Sequence, residues 1–139
     1  MPVTHTIIIK RKDDDPTKDL ILEDTASDGS GIGELESDDA VRLNSGDKVQ
    51  WISDLGNFCV LFKDEPPFNG NFVTVGNRKG ESTLLKVAKK LGGGSAGHPT
   101  VLRFSYAVTV VEPSLEDGTL TATTIDPLLD ISDSSGGTL

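Results

Sequence analysis

The chain has 139 residues, with 22 acidic and 13 basic side chains, and a formal net charge of −9. This excess of acid argues against non-specific binding to nucleic acids and against docking on anionic membranes, because both need clustered Lys and Arg. No run approaches the ~20 apolar residues that cross a bilayer, and a single cysteine excludes an internal disulfide. No apolar run of signal-peptide length follows Met1, so the sequence favours a soluble cytoplasmic protein.

Short β-branched and apolar runs predict several strands in the first half of the chain. Residues 3–10, which include three consecutive isoleucines, predict the first strand, and residues 20–22 predict a short second one. Residues 23–39 are rich in Ser, Gly, Asp and Glu, which predicts a long, mobile acidic loop. Two strands are then expected, over 40–43 and 48–52, on either side of a polar turn.

The second half begins with an apolar strand over 58–62 and a weaker one over 72–75. Residues 81–91 are ambiguous, because their apolar positions suit either a short helix or a strand. The longest strand is predicted over 101–111, where five alternating apolar residues share one face: Leu102, Phe104, Tyr106, Val108 and Val110.

A further strand is expected over 119–125, residues 126–131 close the fold, and residues 132–139 form a small-residue tail that predicts disorder. Seven to nine short strands separated by turns predict an all-β sandwich. We therefore expect one domain over residues 1–131, followed by the tail.

One segment resembles a known family. The sequence Gly46-Asp47-Lys48-Val49-Gln50-Trp51, followed by a polar turn and an apolar strand, resembles the strand that leads to the first copper-ligand histidine of cupredoxins, the blue-copper β-sandwiches. The ligand position of that family falls on Cys59 here. The segment 104–108 takes the place of the strand that leads to the ligand cysteine. The resemblance implies a Greek-key, cupredoxin-like scaffold.

Blue copper needs two imidazoles and a thiolate. No Cys, His or Met follows Val108, so the resemblance implies the scaffold without a copper centre and without a cofactor. The remaining candidates for a degenerate metal or redox site are Cys59, His98 and His5. Each also has a simpler interpretation: burial for Cys59, an exposed loop for His98, and an edge or outward position on the first strand for His5.

Candidate partner contacts lie in two loops. Five cations concentrate within thirteen residues of this acidic chain, at Arg78, Lys79, Lys86, Lys89 and Lys90. This cluster suits an acidic partner, although a solvated face is the simpler interpretation. Pro67 and Phe68 offer an apolar anchor on a rigid loop, unless Phe68 packs beneath the sandwich.

The sequence contains none of the motifs that mark a nucleophilic or zinc-dependent enzyme. The favoured function is therefore a non-catalytic binding or assembly module that contacts a protein partner through its loops or a sheet edge. The alternative is a metal-binding or redox protein that uses Cys59 and His98. The identity of the partner and the oligomeric state stay open.

Overall fold

The structure is a computed structural model that describes residues 3–36, 39–63, 67–68, 73–76, 82–83, 86–88, 100–114 and 116–133. These residues form an all-β fold of two mixed sheets, which confirms the predicted class. The strands are β1 (Thr4–Arg11), β2 (Leu20–Ala26), β3 (Gly33–Leu35), β4 (Ala40–Asn44), β5 (Lys48–Ser53), β6 (Asn57–Phe62), β7 (Val73–Gly76), β8 (Lys86–Val87), β9 (Thr100–Pro113), β10 (Leu120–Ile125) and β11 (Leu128–Asp133).

The first sheet has the order β3-β2-β1-β5-β8, with β1 at its centre. β1 is antiparallel to β2 and parallel to β5. Its side chains alternate, so that Ile7 and Ile9 are fully buried while Ile8 lies on the other face. The three consecutive isoleucines therefore form a strand with one face in the core and the other partly exposed.

The second sheet has the order β4-β11-β9-β6-β7, and β10 also pairs with β9. β10 and β11 follow one another along the same side of β9 in a single antiparallel register, with Ile125 opposite Val108 and Leu128 opposite Ser105. Pro127 separates them, because proline has no N–H for the ladder. Its carbonyl still accepts a hydrogen bond from the Tyr106 N–H, at 3.2 Å.

An aromatic cluster joins the two sheets. Trp51 of β5 meets Tyr106 of β9 and Phe62 of β6 edge-on, with ring centroids 5.7 and 6.3 Å apart. Phe62 and Tyr106 stack at 4.7 Å. Trp51 and Tyr106 are fully buried, and such pairs add roughly 0.5–1.5 kcal/mol each to the gain from area burial. The two sheets therefore pack face to face as a sandwich, with this cluster in the core between them.

The prediction of a long loop over residues 23–39 was wrong. β2 continues to Ala26 and pairs with β1, and β3 pairs with β2 in turn. Composition misled here because aspartate is rare in strands. Asp24 nevertheless lies in β2, where its buried side chain contacts His5. Gly29 and Gly33 adopt φ values of +81° and +78°, which suit the turn that reverses the chain.

The helical alternative for residues 81–91 was also wrong where the chain is described. Lys86 and Val87 form β8 and pair with β5. Thr83 exchanges hydrogen bonds of 2.8 Å with the Trp51 backbone, donating through its N–H and accepting through its hydroxyl. Within the described ranges, no helix is long and apolar enough to span a membrane.

Two predictions need correction: the buried face in the first half of β9, and the start of the disordered tail. Leu102 was expected on the buried face but is 47% exposed. The described strands pair with this end of β9 on one side only, whereas its second half has β6 and β10 on its two sides. Ser132 and Asp133 belong to β11 rather than to a disordered tail, and residues 134–139 lie outside the described residues.

Candidate functional site

A buried charged cluster lies in the first sheet. His5 Nδ1 is 2.8 Å from Asp24 Oδ1, and His5 Nε2 is 3.8 Å from Asp47 Oδ2. The three residues are 5%, 2% and 4% exposed. The prediction of an edge or outward position for His5 was wrong, because β1 is an interior strand and His5 shares the face of Ile7 and Ile9.

Hydrogen bonding and charge favour the protonated form of His5. The hydrogen bond to Asp24 is the largest cause that raises the pKa of His5 above 6.5, and the negative charges of Asp24 and Asp47 raise it further against the cost of burial. Asp47 also accepts backbone N–H bonds from Val3 and Asn44, at 3.0 and 2.9 Å. The cluster therefore fixes β1, β2 and the turn between β4 and β5 to one another.

The metal candidates do not come together in the described part of the chain. Cys59 is half-buried on the outer face of β6, opposite Thr109 of β9. It therefore lies in the second sheet, whereas His5 is enclosed in the first. His98 lies outside the described residues. Among the residues that are described, no group of three or more His, Cys, Asp and Glu is arranged to hold a metal ion.

The apolar anchor predicted in the 63–70 loop is not on the surface. Phe68 is 4% exposed, and its ring meets Phe62 and Trp51 edge-on at centroid distances of 5.5 and 6.3 Å. Pro67 is buried beside it. Phe68 follows the alternative interpretation, packing beneath the sandwich, because burying its ring completes the aromatic cluster.

The predicted basic cluster falls mostly outside the described residues. Arg78, Lys79, Lys89 and Lys90 belong to that undescribed part, and so does the side chain of Lys86. The backbone of Lys86 lies in β8. An acidic partner for these cations thus stays a prediction.

The side of β10 away from β9 is an exposed strand edge. Its sequence, Leu-Thr-Ala-Thr-Thr-Ile, has no charged residue and no proline. Leu120 is 72% exposed, and Thr121, Ala122 and Thr124 are exposed as well. β10 pairs with β9 on one side, and no described strand pairs with it on the other. Unpaired strand edges of this kind attract other strands.

The register shows which backbone groups face outwards. The Ser114 N–H donates to the Thr119 carbonyl at 2.6 Å, and hydrogen-bonded and non-hydrogen-bonded pairs then alternate along the two strands. The N–H and C=O groups of Leu120, Ala122 and Thr124 therefore point away from β9. Three donors and three acceptors line this edge at the spacing of a β-ladder.

A groove opens beside the C-terminal end of β10. It lies between β2 and β3 of the first sheet and the junction of β10 with β11 in the second, and has a volume of about 490 Å³. Its apolar wall consists mainly of Leu20, Leu22, Leu35, Ile125 and Pro127, and its acidic rim of Asp19, Glu34, Glu36, Asp39 and Asp126. Lys12 is the one basic residue among those that line it.

Comparisons with protein families and with curated proteins do not guide the interpretation. A scan against protein-family models gives no match, and a search of curated proteins gives none with significant similarity. The functional argument therefore rests on the geometry. Sequence reasoning named a sheet edge as a means of contact but no particular strand. The signal was present in the uncharged, threonine-rich run over 119–125.

Proposed function

We propose that the protein is a non-catalytic binding module that captures an extended segment of a protein partner by adding it as a strand to β10. The observation that carries the proposal is the edge of β10 that no described strand covers, with the outward N–H and C=O groups of Leu120, Ala122 and Thr124. Main-chain hydrogen bonds supply the affinity in this mode of recognition, and side-chain pockets supply the specificity.

The other described edges are less suited to strand addition. β3 carries Glu34, β4 carries Arg42 and β8 carries Lys86, and charged side chains are how natural sheets protect an edge. β7 is uncharged but has four residues, against six in β10. β10 therefore combines length and the lack of charge with exposed side chains.

The scaffold fits the same proposal. A cupredoxin-like sandwich without a copper centre is a rigid frame that holds one strand edge in a fixed position. The competing metal or redox function depends on Cys59 and His98, and it stays an untested alternative because His98 lies outside the described residues. The function therefore resides in the backbone of one edge rather than in a catalytic side chain.

Binding to the edge is tested by selecting peptides on the immobilised protein from a displayed library of random twelve-residue sequences. The Kd values of the selected peptides are then compared between the wild type and Ala122→Pro. The substitution removes an outward N–H and leaves the ladder with β9 complete, which is a position that tolerates proline. We expect at least about tenfold weaker binding, since one lost hydrogen bond and a blocked approach cost roughly 1.5 kcal/mol.

The matched control is Ala122→Thr, which keeps the N–H and suits a strand. Circular dichroism and melting temperature establish that both variants fold. Selected peptides that bind Ala122→Pro as tightly as the wild type would show that the contact is made elsewhere on the molecule.

A further inference from the structure

We infer that the groove beside β10 receives a lysine side chain of the partner segment, an inference that rests on the proposed function. The groove offers an apolar wall with a rim of carboxylates, and this combination fits an aliphatic stem that ends in an ammonium group. Long cationic side chains bury their stems against apolar surface and keep the charge at the polar margin.

The position of the groove places it in reach of an added strand. Ile125 ends β10 and also lines the groove. Its side chain points between the sheets, because it follows Thr123 by two residues and Thr123 contacts Arg11 of the other sheet. Neighbouring strands lie ~4.8 Å apart, so an inward-facing residue of the added strand beside Ile125 lies at the mouth of the groove.

The rim carries charge that the described part of the protein leaves uncompensated. Lys10 lies 3.6 Å from Glu34, and Lys63 lies 2.7 Å from Asp126. The side-chain carboxylates of Asp19 and Glu36 have neither a hydrogen bond nor an ion pair within the described residues. Together with Asp39 they outnumber Lys12, the basic residue in the same lining, so the groove keeps an excess of negative charge that is complementary to a cation.

The wall accounts for the preference for an aliphatic stem. Leu20, Leu22 and Leu35 are 6%, 2% and 7% exposed, so they form a fixed margin of the core rather than a mobile surface. A stem of four methylene groups placed against them is removed from water, which favours binding. A carboxylate in the same position meets the acidic rim and is rejected.

The test uses n-hexylammonium as a probe, which requires no partner and no strand addition. Methyl NMR signals of Leu20, Leu22, Leu35 and Ile125 are followed during titration at ~0.15 M salt. We expect saturable shifts at these residues and none with hexanoate at equal concentration. Asp19→Asn combined with Glu36→Gln weakens binding about threefold to tenfold, the range of two partly exposed ion pairs.

The matched control is Asp54→Asn combined with Glu116→Gln, which makes the same change in net charge at exposed positions outside the groove lining. This variant is expected to bind hexylammonium within about twofold of the wild type, because salt screens charges beyond roughly 8 Å. Equal binding of hexanoate, shifts confined to other residues, or an equal loss in the control variant would each overturn the inference.

The two proposals fail separately. Ala122→Pro blocks the edge but leaves the groove intact, so it is expected to bind hexylammonium like the wild type. If selected peptides bind β10 but hexylammonium does not bind the groove, the groove inference alone is overturned. Amine binding in a protein whose β10 captures no peptide would overturn the proposed function and leave the groove as a site for free alkylammonium groups.

Discussion

At the scale of single residues, His5 is the most unusual feature of the molecule. It is an ionisable residue with a carboxylate opposite each ring nitrogen, and all three side chains are removed from water. Removing one member of a buried charged group leaves its partners uncompensated, which costs about 3–5 kcal/mol. We expect His5→Gln to lose that much unfolding free energy in urea titrations at pH 6, and a loss below ~1 kcal/mol would contradict the cluster.

The same residue gives the stability a defined pH dependence. The pKa of His5 is raised in the folded state above the ordinary 6.5, so its stabilisation is complete below pH 6.5. As the pH rises, the unfolded chain loses this proton first, and the stabilisation disappears as the pH passes through the folded pKa. Unfolding free energy measured from pH 6 to 9 should therefore fall with pH.

The fall should be absent in His5→Gln and retained in His98→Gln, which serves as the matched control for the other histidine. The cluster would be contradicted if the unfolding free energy of the wild type rose with pH over this range. It would also be contradicted if His5→Gln showed the same fall with pH as the wild type.

At the scale of elements, the turns that carry the chain between sheets are as constrained as the strands. Gly56 is buried between β5 and β6, and a Cβ there would collide with the backbone carbonyl of Val111. Because backbone cannot yield as a flexible side chain does, we expect Gly56→Ala to lower the unfolding free energy by about 1–3 kcal/mol in urea titration. The exposed neighbour Asp54→Ala should change it by less than ~0.5 kcal/mol. Equal effects of the two substitutions would contradict the close approach.

Most strands could be predicted from the sequence, because apolar alternation over β1, β5, β6 and β9 reflects burial on one face. The second half of β2 could not, because its buried position is occupied by Asp24. The distant His5 and the Ile32 backbone N–H make that burial favourable, and no local pattern reveals the pairing with His5. The sheet assignment was equally hidden: β5 and β6 are adjacent in the sequence but belong to different sheets.

The candidate site was predicted only in kind. Loops or a sheet edge were expected to make the contact, and the residues chosen for it lay in loops. Phe68 was misplaced because a phenylalanine between Pro67 and Asn69 has the sequence signature of an exposed loop, whereas its burial depends on Trp51 and Phe62. Whether an edge of β10 is covered depends on which strands pair with it. Strand pairing is a property of the topology and is not visible in the local sequence.

At the scale of the whole molecule, charge and topology act together. A net charge of −9 repels other acidic chains, while β10 presents an uncharged edge next to an acidic groove. Under the proposed function, this combination favours a partner segment that carries a lysine and extends as a strand. The protein supplies a pre-formed edge, so that only the partner loses conformational freedom on binding.

The most direct measurement of the central claim is amide hydrogen exchange of β10 with and without a saturating selected peptide. Strand addition predicts that the N–H groups of Leu120, Ala122 and Thr124, which point away from β9 and have no partner among the described residues, exchange at least about tenfold more slowly in the complex. The N–H groups of Thr121 and Thr123, already bonded to β9, should change less. Unchanged exchange at Leu120, Ala122 and Thr124 in a saturated complex would contradict the account.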